Sequence, residues 1–296
     1  MTTDNKRYIA PSELMINDDG SVYHLHIKPE WLADNVILVG DPGRVPKVSK
    51  YFDTIEVYVR SREFHAVTGT YNDKRITVLS TGIGCDSIDI VMNELDALAN
   101  IDFKTRTVKD QIRHLQIVRI GTCGGLQPFT PIGTYVCSVR SIGMDCLLNF
   151  YAGREKVTDT RFEKAFVEYM GWHDKMCAPN LYVAEADKEL VDRIARDDMV
   201  RGVTISANGF FGPQGRELRI PLADPDQNHK IENFEFEGCK ITNFEMESSA
   251  IAGLSRLMGH HATTVCMVIA NRLAKEANTN YKSSIEDLIL TVLDRL

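Results

Sequence analysis

Blocks of apolar and polar residues alternate along the chain and predict strands alternating with helices. The run NVILVG (35–40) is continuously apolar and ends in glycine, as buried strands do. In SIDIVMNELDALAN (87–100), apolar residues such as Ile88, Val91 and Leu95 recur at helical spacing. Because this alternation continues over most of the length, we predict an α/β fold: a single domain with a mixed central β-sheet flanked by helices.

Several segments add detail to this prediction. VYHLHI (22–27) alternates and predicts a short strand. Residues 1–20 are polar and predict a loose N-terminal arm, which leaves 21–296 as a single domain. Residues 101–115 are charged without a clear period, and 221–240 are acidic with Pro and Asn. We therefore predict a surface excursion for the former and a flap or loop for the latter.

Composition narrows the class of protein. The net charge of −7 gives no general attraction to nucleic acid or to an anionic membrane. No apolar run approaches the roughly 18 residues that a membrane-spanning helix needs. The first twenty residues lack the apolar core of a secretory signal, and the seven cysteines form no CxxC pair. We expect a cytoplasmic protein with reduced cysteines that binds neither nucleic acid nor membrane.

Glycine-bearing turns follow three apolar strands: VGDPGR (39–44), STGIGCDS (80–87) and RIGTCGG (119–125). Glycines let backbone N–H groups approach an anion, and the loops at the carboxyl ends of strands converge in α/β sheets. Arg44, Arg119 and Arg62, with Thr122, could enclose one phosphate. The alternative is that each glycine only serves a turn and each arginine a surface pair. None of the turns matches GxGxxG or GxxxxGK[ST], which disfavours a Rossmann oxidoreductase or a P-loop protein.

The segment NFEMES (243–248) places Glu245 and Glu247 on either side of Met246, at the start of a predicted helix that Gly259 ends. In extended backbone both carboxylates share a face, whereas in a helix they diverge by about 200°. A carboxylate suits a sugar diol, and methionine offers apolar area to the ribose ring. The alternative is that the acidic residues only favour a helix N-terminus.

A loop with an unusual pair of polar residues occurs in GFFGPQGRELR (209–219), where Phe210 precedes Gln214 and Arg216. Other candidates are weaker. His24 and His26 could bind a metal, but no second cluster completes such a site. Cys123 has no indicated base and is interpreted as a core residue.

Together these segments resemble the nucleoside phosphorylase-I family, and most of all its uridine-cleaving members. STGIGCDSIDIVMNEL is similar to the signature stretch of the family, although Asp86 and Asp89 depart from it. VGDPGR, SREF, RIGTCGG, FEMES and VIANR follow in the order of the family, so the resemblance spans roughly residues 22 to 296. It implies an enzyme, a pentosyltransferase with the nucleoside phosphorylase-like fold.

The resemblance also implies roles for individual positions, with Arg119, Glu247, Gln214 and Arg216 as the catalytic ones. The phosphate would be held by Gly40, Arg44, Arg119, Thr122 and, from a neighbouring subunit, Arg62. The ribose would contact Glu245, Met246, Glu247 and, across the subunit interface, His24. In some relatives an intersubunit potassium ion is held at the positions of Glu63, Ile83 and Ser87.

For the base, uridine-cleaving members carry a Phe, a Gln and an Arg at the spacing of Phe210, Gln214 and Arg216, with Arg272 behind them. Here Gly212-Pro213 reverses the usual order of the two residues before the Gln. Purine-cleaving members carry a Ser-Asp pair that protonates the purine, and this chain has Ala270-Asn271 instead. An amide is no general acid, so purine cleavage loses its expected proton donor.

The implied function is reversible phosphorolysis of uridine to uracil and ribose 1-phosphate. Inorganic phosphate is the co-substrate and no cofactor is required. Because Arg62 and His24 would serve a neighbour's site, we expect a homo-oligomer with shared active sites, a dimer or a hexamer. Two alternatives remain open at this point: a phosphorylase of another nucleoside, such as thymidine, deoxyuridine or a purine nucleoside, and a catalytically silent nucleoside-binding protein on the same fold.

Overall fold

Most of the continuous apolar runs in the sequence form strands in the computed structural model, which describes residues 6–173, 176, 180–271, 276–278 and 284–296. The chain divides into two units, one of Met1–Gly82 with Ile90–Gln116 and one of Ile83–Asp89 with Ile117–Leu296. No helix in these described ranges is long and apolar enough to cross a membrane.

The first unit is built on a four-stranded mixed sheet. Its strands are β1 (Asn35–Val39), β2 (Thr54–Ser61), β3 (Phe64–Tyr71) and β4 (Lys74–Ser80), and the short β5 (Ile101–Asp102) and β6 (Thr107–Val108) form a separate hairpin. Its helices are α1 (Val45–Ser49) and the part of α2 (Cys85–Asn100) from Ile90 onward. β1 lies parallel to β4, and β3 lies antiparallel to β4 and to β2. Four of the five residues of β1 are buried, in agreement with its continuous apolar run.

Arg106 holds the N-terminal segment in the described part of the predicted arm. The guanidinium donates to the carbonyls of Ile9 at 2.8 Å and Ala10 at 3.2 Å, and also to that of Leu14. The excursion predicted for 101–115 contains the β5–β6 hairpin and therefore supplies this anchor. The domain boundaries predicted at residues 20 and 21 stay a prediction.

The strand predicted for residues 22–27 is wrong. His26 lies in the left-handed region at φ +53°, and its N–H donates to the carbonyl of Val22 at 3.1 Å. The segment is therefore a tight turn, although Val22, Leu25 and Ile27 are buried. Their apolar spacing reflects burial of the turn rather than a pleated strand.

The second unit holds the remaining elements. Its strands are β7 (Gln116–Gly125, from Ile117 on), β8 (Tyr135–Gly143), β9 (Tyr182–Glu185), β10 (Val200–Ser206), β11 (Glu235–Phe236), β12 (Cys239–Glu245), β13 (His261–Asn271) and β14 (Glu276–Ala277). Its helices are α3 (Thr160–Met170), α4 (Lys188–Ile194), α5 (Gln227–Asn233), α6 (Ser248–Met258) and α7 (Ser284–Arg295). Mixed sheets with flanking helices therefore confirm the predicted α/β class.

The strands of the second unit pair in a closed cycle. β7 neighbours β13, which pairs with β8, and β10 then joins β8 to β12. The cycle closes where β12 lies antiparallel to the end of β7, with Asn243 opposite Gly125 and Phe244 opposite Gly124. This closure brings the carboxyl ends of β7 and β12 together, although 118 or more residues separate them along the chain.

Residues 221–240, predicted as a flap or loop, contain α5 and the β11–β12 hairpin. Ile231 and Phe234 are buried, and Phe234 packs edge-on against Phe162 and Phe166 of α3 at centroid distances of 5.5 and 5.2 Å. The helix was missed because seven residues are too few to show a helical period, and tertiary packing stabilises it instead.

Candidate active site

Arg119 lies inside the second unit, on the central strand β7. Its side chain forms an ion pair with Glu247, approaches Glu245 at 3.4 Å (Nη1 to Oε2) and contacts the Cys266 sulfur at 3.6 Å. Only 6% of the side chain is exposed. Its Nε–H is buried and has no hydrogen-bond partner among the described residues. A buried guanidinium with a spare donor suits an anion.

Gly121 makes room for this guanidinium. A Cβ on Gly121 would lie 2.2 Å from Arg119 Nη1 and 2.9 Å from the Cys266 sulfur. Any larger residue would therefore displace the arginine. The first glycine of RIGTCGG thus serves a side chain rather than a turn, because residues 116–125 are all strand.

Glu245 and Glu247 are brought together by the junction of β12 and α6. Glu245 is the last residue of β12, and Glu247 caps α6 with φ −142°. The helix begins at Ser248, later than the sequence predicts, so both carboxylates turn toward Arg119 while Met246 between them is only half-buried. The two carboxylates therefore share a side, as the non-helical arrangement predicts, although residues 246 and 247 form a bend and not an extended strand.

Hydrogen bonds fix each carboxylate. Glu245 accepts from the N–H of Glu247 at 2.9 Å and from the hydroxyl of Ser248 at 2.7 Å. Glu247 accepts from the N–H of Gly84 at 2.7 Å. Thus the STGIGCDS turn supplies a backbone donor to the carboxylate predicted to bind ribose.

The electrostatics of this cluster keep the arginine charged. Burial opposes its charge, but the Glu247 and Glu245 carboxylates outweigh that penalty and raise the pKa of Arg119. Burial also raises the pKa of Glu247, against the attraction of Arg119. The nearby Cys123 thiol has its pKa raised by burial and stays protonated, in agreement with its interpretation as a core residue rather than a nucleophile.

A second cluster in the same unit contains the residues predicted to read the base. Arg216 Nη1 donates to Gln214 Oε1 and to the carbonyl of Phe210, each at 2.6 Å. The Arg216 guanidinium stacks 3.8 Å from the centroid of the Phe210 ring. Gln214 is buried and Phe210 is 51% exposed. The structure therefore joins all three side chains, and Gly215 at φ +65° makes the turn between the Gln and the Arg.

A cavity of about 810 Å³ adjoins this loop. Apolar side chains such as Met144, Trp172 and Leu222 line it, together with Arg216 and Gln227. Few polar groups placed on an apolar wall are typical of sites for flat organic ligands.

The remaining phosphate candidates Gly40 and Arg44 lie in the first unit, and Thr122 is half-buried on β7 in the second. Arg44 is buried, and its N–H donates to the carbonyl of Asp41 at 2.9 Å. The Asp41 side chain accepts from Gly43 N–H at 2.8 Å, which fixes the DPGR turn.

Arg62 and His24 meet at one surface of the first unit. Exposed Arg62, at φ +54° in the turn between β2 and β3, lies with its guanidinium 5.4 Å from the Tyr23 ring centroid. Tyr23 packs edge-on against His24 at 4.9 Å, and His24 Nδ1 lies 2.6 Å from Glu94 Oε1. The two residues predicted to reach a neighbouring subunit are therefore adjacent on an exposed surface.

The positions matched to a potassium site are accessible: Glu63 and Ile83 are exposed and Ser87 is half-buried. Potassium binding stays a prediction. Across the described part of the chain, no group of three or more His, Cys, Asp or Glu residues could hold a metal ion. Arg272 lies outside the described residues.

Several contributing residues are not predicted by the sequence motifs. Glu94 holds the His24 turn by accepting from the N–H groups of His24, at 3.1 Å, and Leu25, at 2.9 Å. The sequence did contain an indication of this role. Glu94 lies three positions after Val91, which places a carboxylate on the apolar face of the predicted helix. Gly121 was noted only as part of a predicted turn, and Cys266 gave no signal, because the contact between Arg119 and Cys266 joins strands that are distant in sequence.

Residues 34–292 match the sequence profile of the Phosphorylase superfamily, and the chain belongs to this family. The family resemblance predicted from the ordered motifs is thereby confirmed.

Among individual relatives, a uridine phosphorylase of Thermococcus kodakarensis is 29% identical over 265 residues, 88% of this chain and 80% of the relative. A guanosine phosphorylase of Halorubrum lacusprofundi is 25% identical over 251 residues, 85% of this chain and 84% of the relative. The fold is similar to that of a Trypanosoma brucei nucleoside phosphorylase described as showing uridine phosphorylase activity, with a TM-score of 0.84 and 29% identity over 96% of this chain and 100% of that one.

Proposed function

We propose that this protein catalyses the reversible phosphorolysis of uridine to uracil and ribose 1-phosphate. The observation that carries the proposal is the hydrogen bond from Arg216 to Gln214, together with the stacking of the Arg216 guanidinium on the Phe210 ring. An amide both donates and accepts, so it matches the imide edge of uracil, whereas a guanidinium only donates and matches a carbonyl. The names of the relatives in Thermococcus kodakarensis and Trypanosoma brucei support the same substrate.

In the proposed reaction, a phosphate oxygen bonds to C1′ of the ribose while the bond from C1′ to N1 of uracil breaks. The electron pair of that bond leaves with uracil, which then takes a proton. Arg119, Thr122, Gly40 and Arg44 would hold the phosphate, with Arg62 of a neighbouring subunit. Since no protein nucleophile takes part, the chain contributes positioning and charge.

Charges of opposite sign develop on the ribose and on the leaving uracil, so the protein has to stabilise each with different groups. Glu247 would accept from the ribose hydroxyls, with Glu245 fixing its backbone and Met246 packing beneath the ring. Gln214 and Arg216 would stabilise the charge that develops on departing uracil. Arg272 is proposed to lie behind Gln214 and Arg216 in the base site.

Asn271 favours a pyrimidine over a purine. It occupies the position of the purine-protonating Asp, is buried, and donates its amide to the carbonyls of Gln127 and Thr130 at 3.3 and 2.9 Å. A side chain engaged with backbone in this way is a structural group. The name of the relative in Halorubrum lacusprofundi keeps a purine nucleoside as the second candidate substrate.

We further propose a cytoplasmic homo-oligomer that needs no cofactor besides phosphate as co-substrate. The surface row of exposed Arg62, exposed Tyr23 and half-buried His24 supports an interface at which each subunit would complete its neighbour's site. All six cysteines that the structure describes are free thiols, as expected in a reducing compartment.

Release of free base from uridine, thymidine and inosine, each with and without phosphate, tests the proposal. We expect phosphate-dependent release of uracil, faster than release of hypoxanthine. Release without phosphate would indicate a nucleosidase. Phosphate-dependent release from inosine alone would indicate a purine phosphorylase, and no release from any substrate would favour a silent binding protein.

A further inference from the structure

Two neighbouring amide side chains at the start of α5 bind the backbone of the base-reading loop. Gln227 Nε2 donates to the carbonyls of Gly212 and Pro213 at 3.2 and 3.3 Å. Asn228 Nδ2 donates to the carbonyls of Gln214 and Gly215 at 3.2 and 3.4 Å. Four consecutive carbonyls, those of 212–215, are therefore held by one turn of helix.

This helix is itself firmly anchored. Asp224, just before α5, accepts from Trp172 Nε1 at 3.2 Å and from Lys230 Nζ at 2.8 Å. Gln127 Nε2 donates to the carbonyl of Glu232 at 2.9 Å. Gln227 is only 2% exposed, so its amide is locked in place. Because the helix is fixed, the hydrogen bonds from Gln227 and Asn228 also fix the position of the loop.

The packing between helix and loop is too close to tolerate a shift. A Cβ on Gly215 would lie 2.4 Å from both the nitrogen and the oxygen of the Asn228 amide. Gly215 also needs its left-handed φ of +65° so that Arg216 can turn back to Gln214. The glycine therefore admits the Asn228 amide and sets the turn that pairs the two base-reading side chains.

We propose that Gln227 and Asn228 are positioning residues that set the orientation of Gln214 and Arg216 and thereby control base recognition. The inference rests on the proposed function. It assigns to the 221–240 segment the task of holding the loop, a task done through carbonyls of the backbone and not by contact with substrate. A carboxylate at position 228 would face two carbonyl oxygens without a donor, which repels the loop.

The test is Asn228→Asp, with Asn233→Asp as its matched control. Asn233 lies on the same helix, is exposed and donates to the His229 carbonyl within α5, so the control carries the same chemical change away from the loop. We expect KM for uridine to rise about tenfold in Asn228→Asp, by loss of oriented hydrogen bonds, while KM for phosphate stays as in the control. Amide hydrogen exchange of residues 214–216 should also speed up.

Equal rises in both KM values would indicate a general structural defect and overturn the inference, as would kinetics and exchange identical to those of Asn233→Asp. Asn228→Ala, which removes the donor without adding charge, serves if the aspartate variant is insoluble, and the same two outcomes apply to it. If the unmodified protein releases no uracil from uridine with phosphate, the proposed function itself fails. An active unmodified protein with an unaffected Asn228→Asp variant refutes the positioning role alone.

Discussion

Arg119 carries one positive charge into a buried site that also contains two carboxylates. Neither glutamate faces water freely, and each has further donors that fix it: Gly84 for Glu247, and Ser248 for Glu245. Removal of the arginine would therefore leave two buried carboxylates without their cation, which costs far more than the loss of an exposed ion pair.

We expect Arg119→Ala to lower the free energy of unfolding by about 3 kcal/mol or more at pH 7. Urea denaturation measures this. Adding Glu247→Gln to the variant removes one of the unpaired charges and should restore part of the stability. If Arg119→Ala is as stable as the parent, the ion pairs carry no stability. Because of this loss, the effect on phosphate is better measured with Arg119→Lys.

Gly121→Ala tests whether the position of Arg119 matters for turnover. The added methyl group would lie 2.2 Å from Arg119 Nη1, so the guanidinium must move. A displacement on the order of 1 Å lowers the rate about 100-fold, and we expect a fall of that size in kcat/KM for phosphate. Gly124→Ala on the same strand is the control, because its Cβ would meet only the Ala270 carbonyl, at 3.9 Å. Similar kinetics of the two variants would contradict the prediction.

At the scale of elements, one carboxylate helps to hold the short helix α5. Asp224 binds the Trp172 indole and the Lys230 ammonium. Burial alone would raise its pKa, but these hydrogen bonds outweigh burial and lower the pKa of Asp224 from its ordinary value of 3.8. A lowered pKa means that the folded state prefers the ionised form.

The stability that Asp224 contributes should therefore be present above about pH 4, the ordinary range of an Asp, and lost as the pH falls through its lowered folded-state pKa. We expect Asp224→Asn to be less stable than the parent by about 1 kcal/mol at pH 7. As the pH falls below this lowered pKa, the two proteins should converge because the parent carboxyl takes up its proton. Chemical denaturation across this pH range checks the trend, and a constant difference would refute it.

At the scale of the whole molecule, an exposed arginine beside an exposed tyrosine and a half-buried histidine suggests a site completed by a second copy. Arg62 contacts Tyr23, which packs on His24, on the surface of the first unit. The shared-site hypothesis therefore makes a prediction about mixed oligomers.

Arg62→Ala and Glu247→Gln should each be nearly inactive alone, yet regain activity when the two variants are co-expressed. In a mixed oligomer, one kind of site receives both intact residues. Arg60→Ala, an exposed arginine two positions away on β2, should leave activity unchanged. Absence of recovery in mixed oligomers verified by mass would contradict the sharing of sites.

The sequence predicted elements well where the pattern was long, and less well where structure depends on contacts. β1 and α2 follow from their patterns, because β1 is continuously apolar and apolar residues recur at helical spacing in α2. The turn at 22–27 and the helix α5 did not, since the first is apolar without being a strand and the second is held by packing on α3. Resemblance to a family supplied the roles of single residues that no pattern contains.

By itself the sequence determined the α/β class, the family and the chemistry available at the site: arginines after strands, paired glutamates, and a Gln and an Arg in one loop. These depend on residue type and order, which the chain states directly. Only the tertiary structure decided that Glu245 and Glu247 both face Arg119, that the absent side chain of Gly121 leaves space for a guanidinium, and that Asn228 binds the carbonyls of residues 214 and 215. The carboxylates of Glu245 and Glu247 reach Arg119 where the strand cycle closes between β7 and β12, and no local pattern records which distant strands will meet.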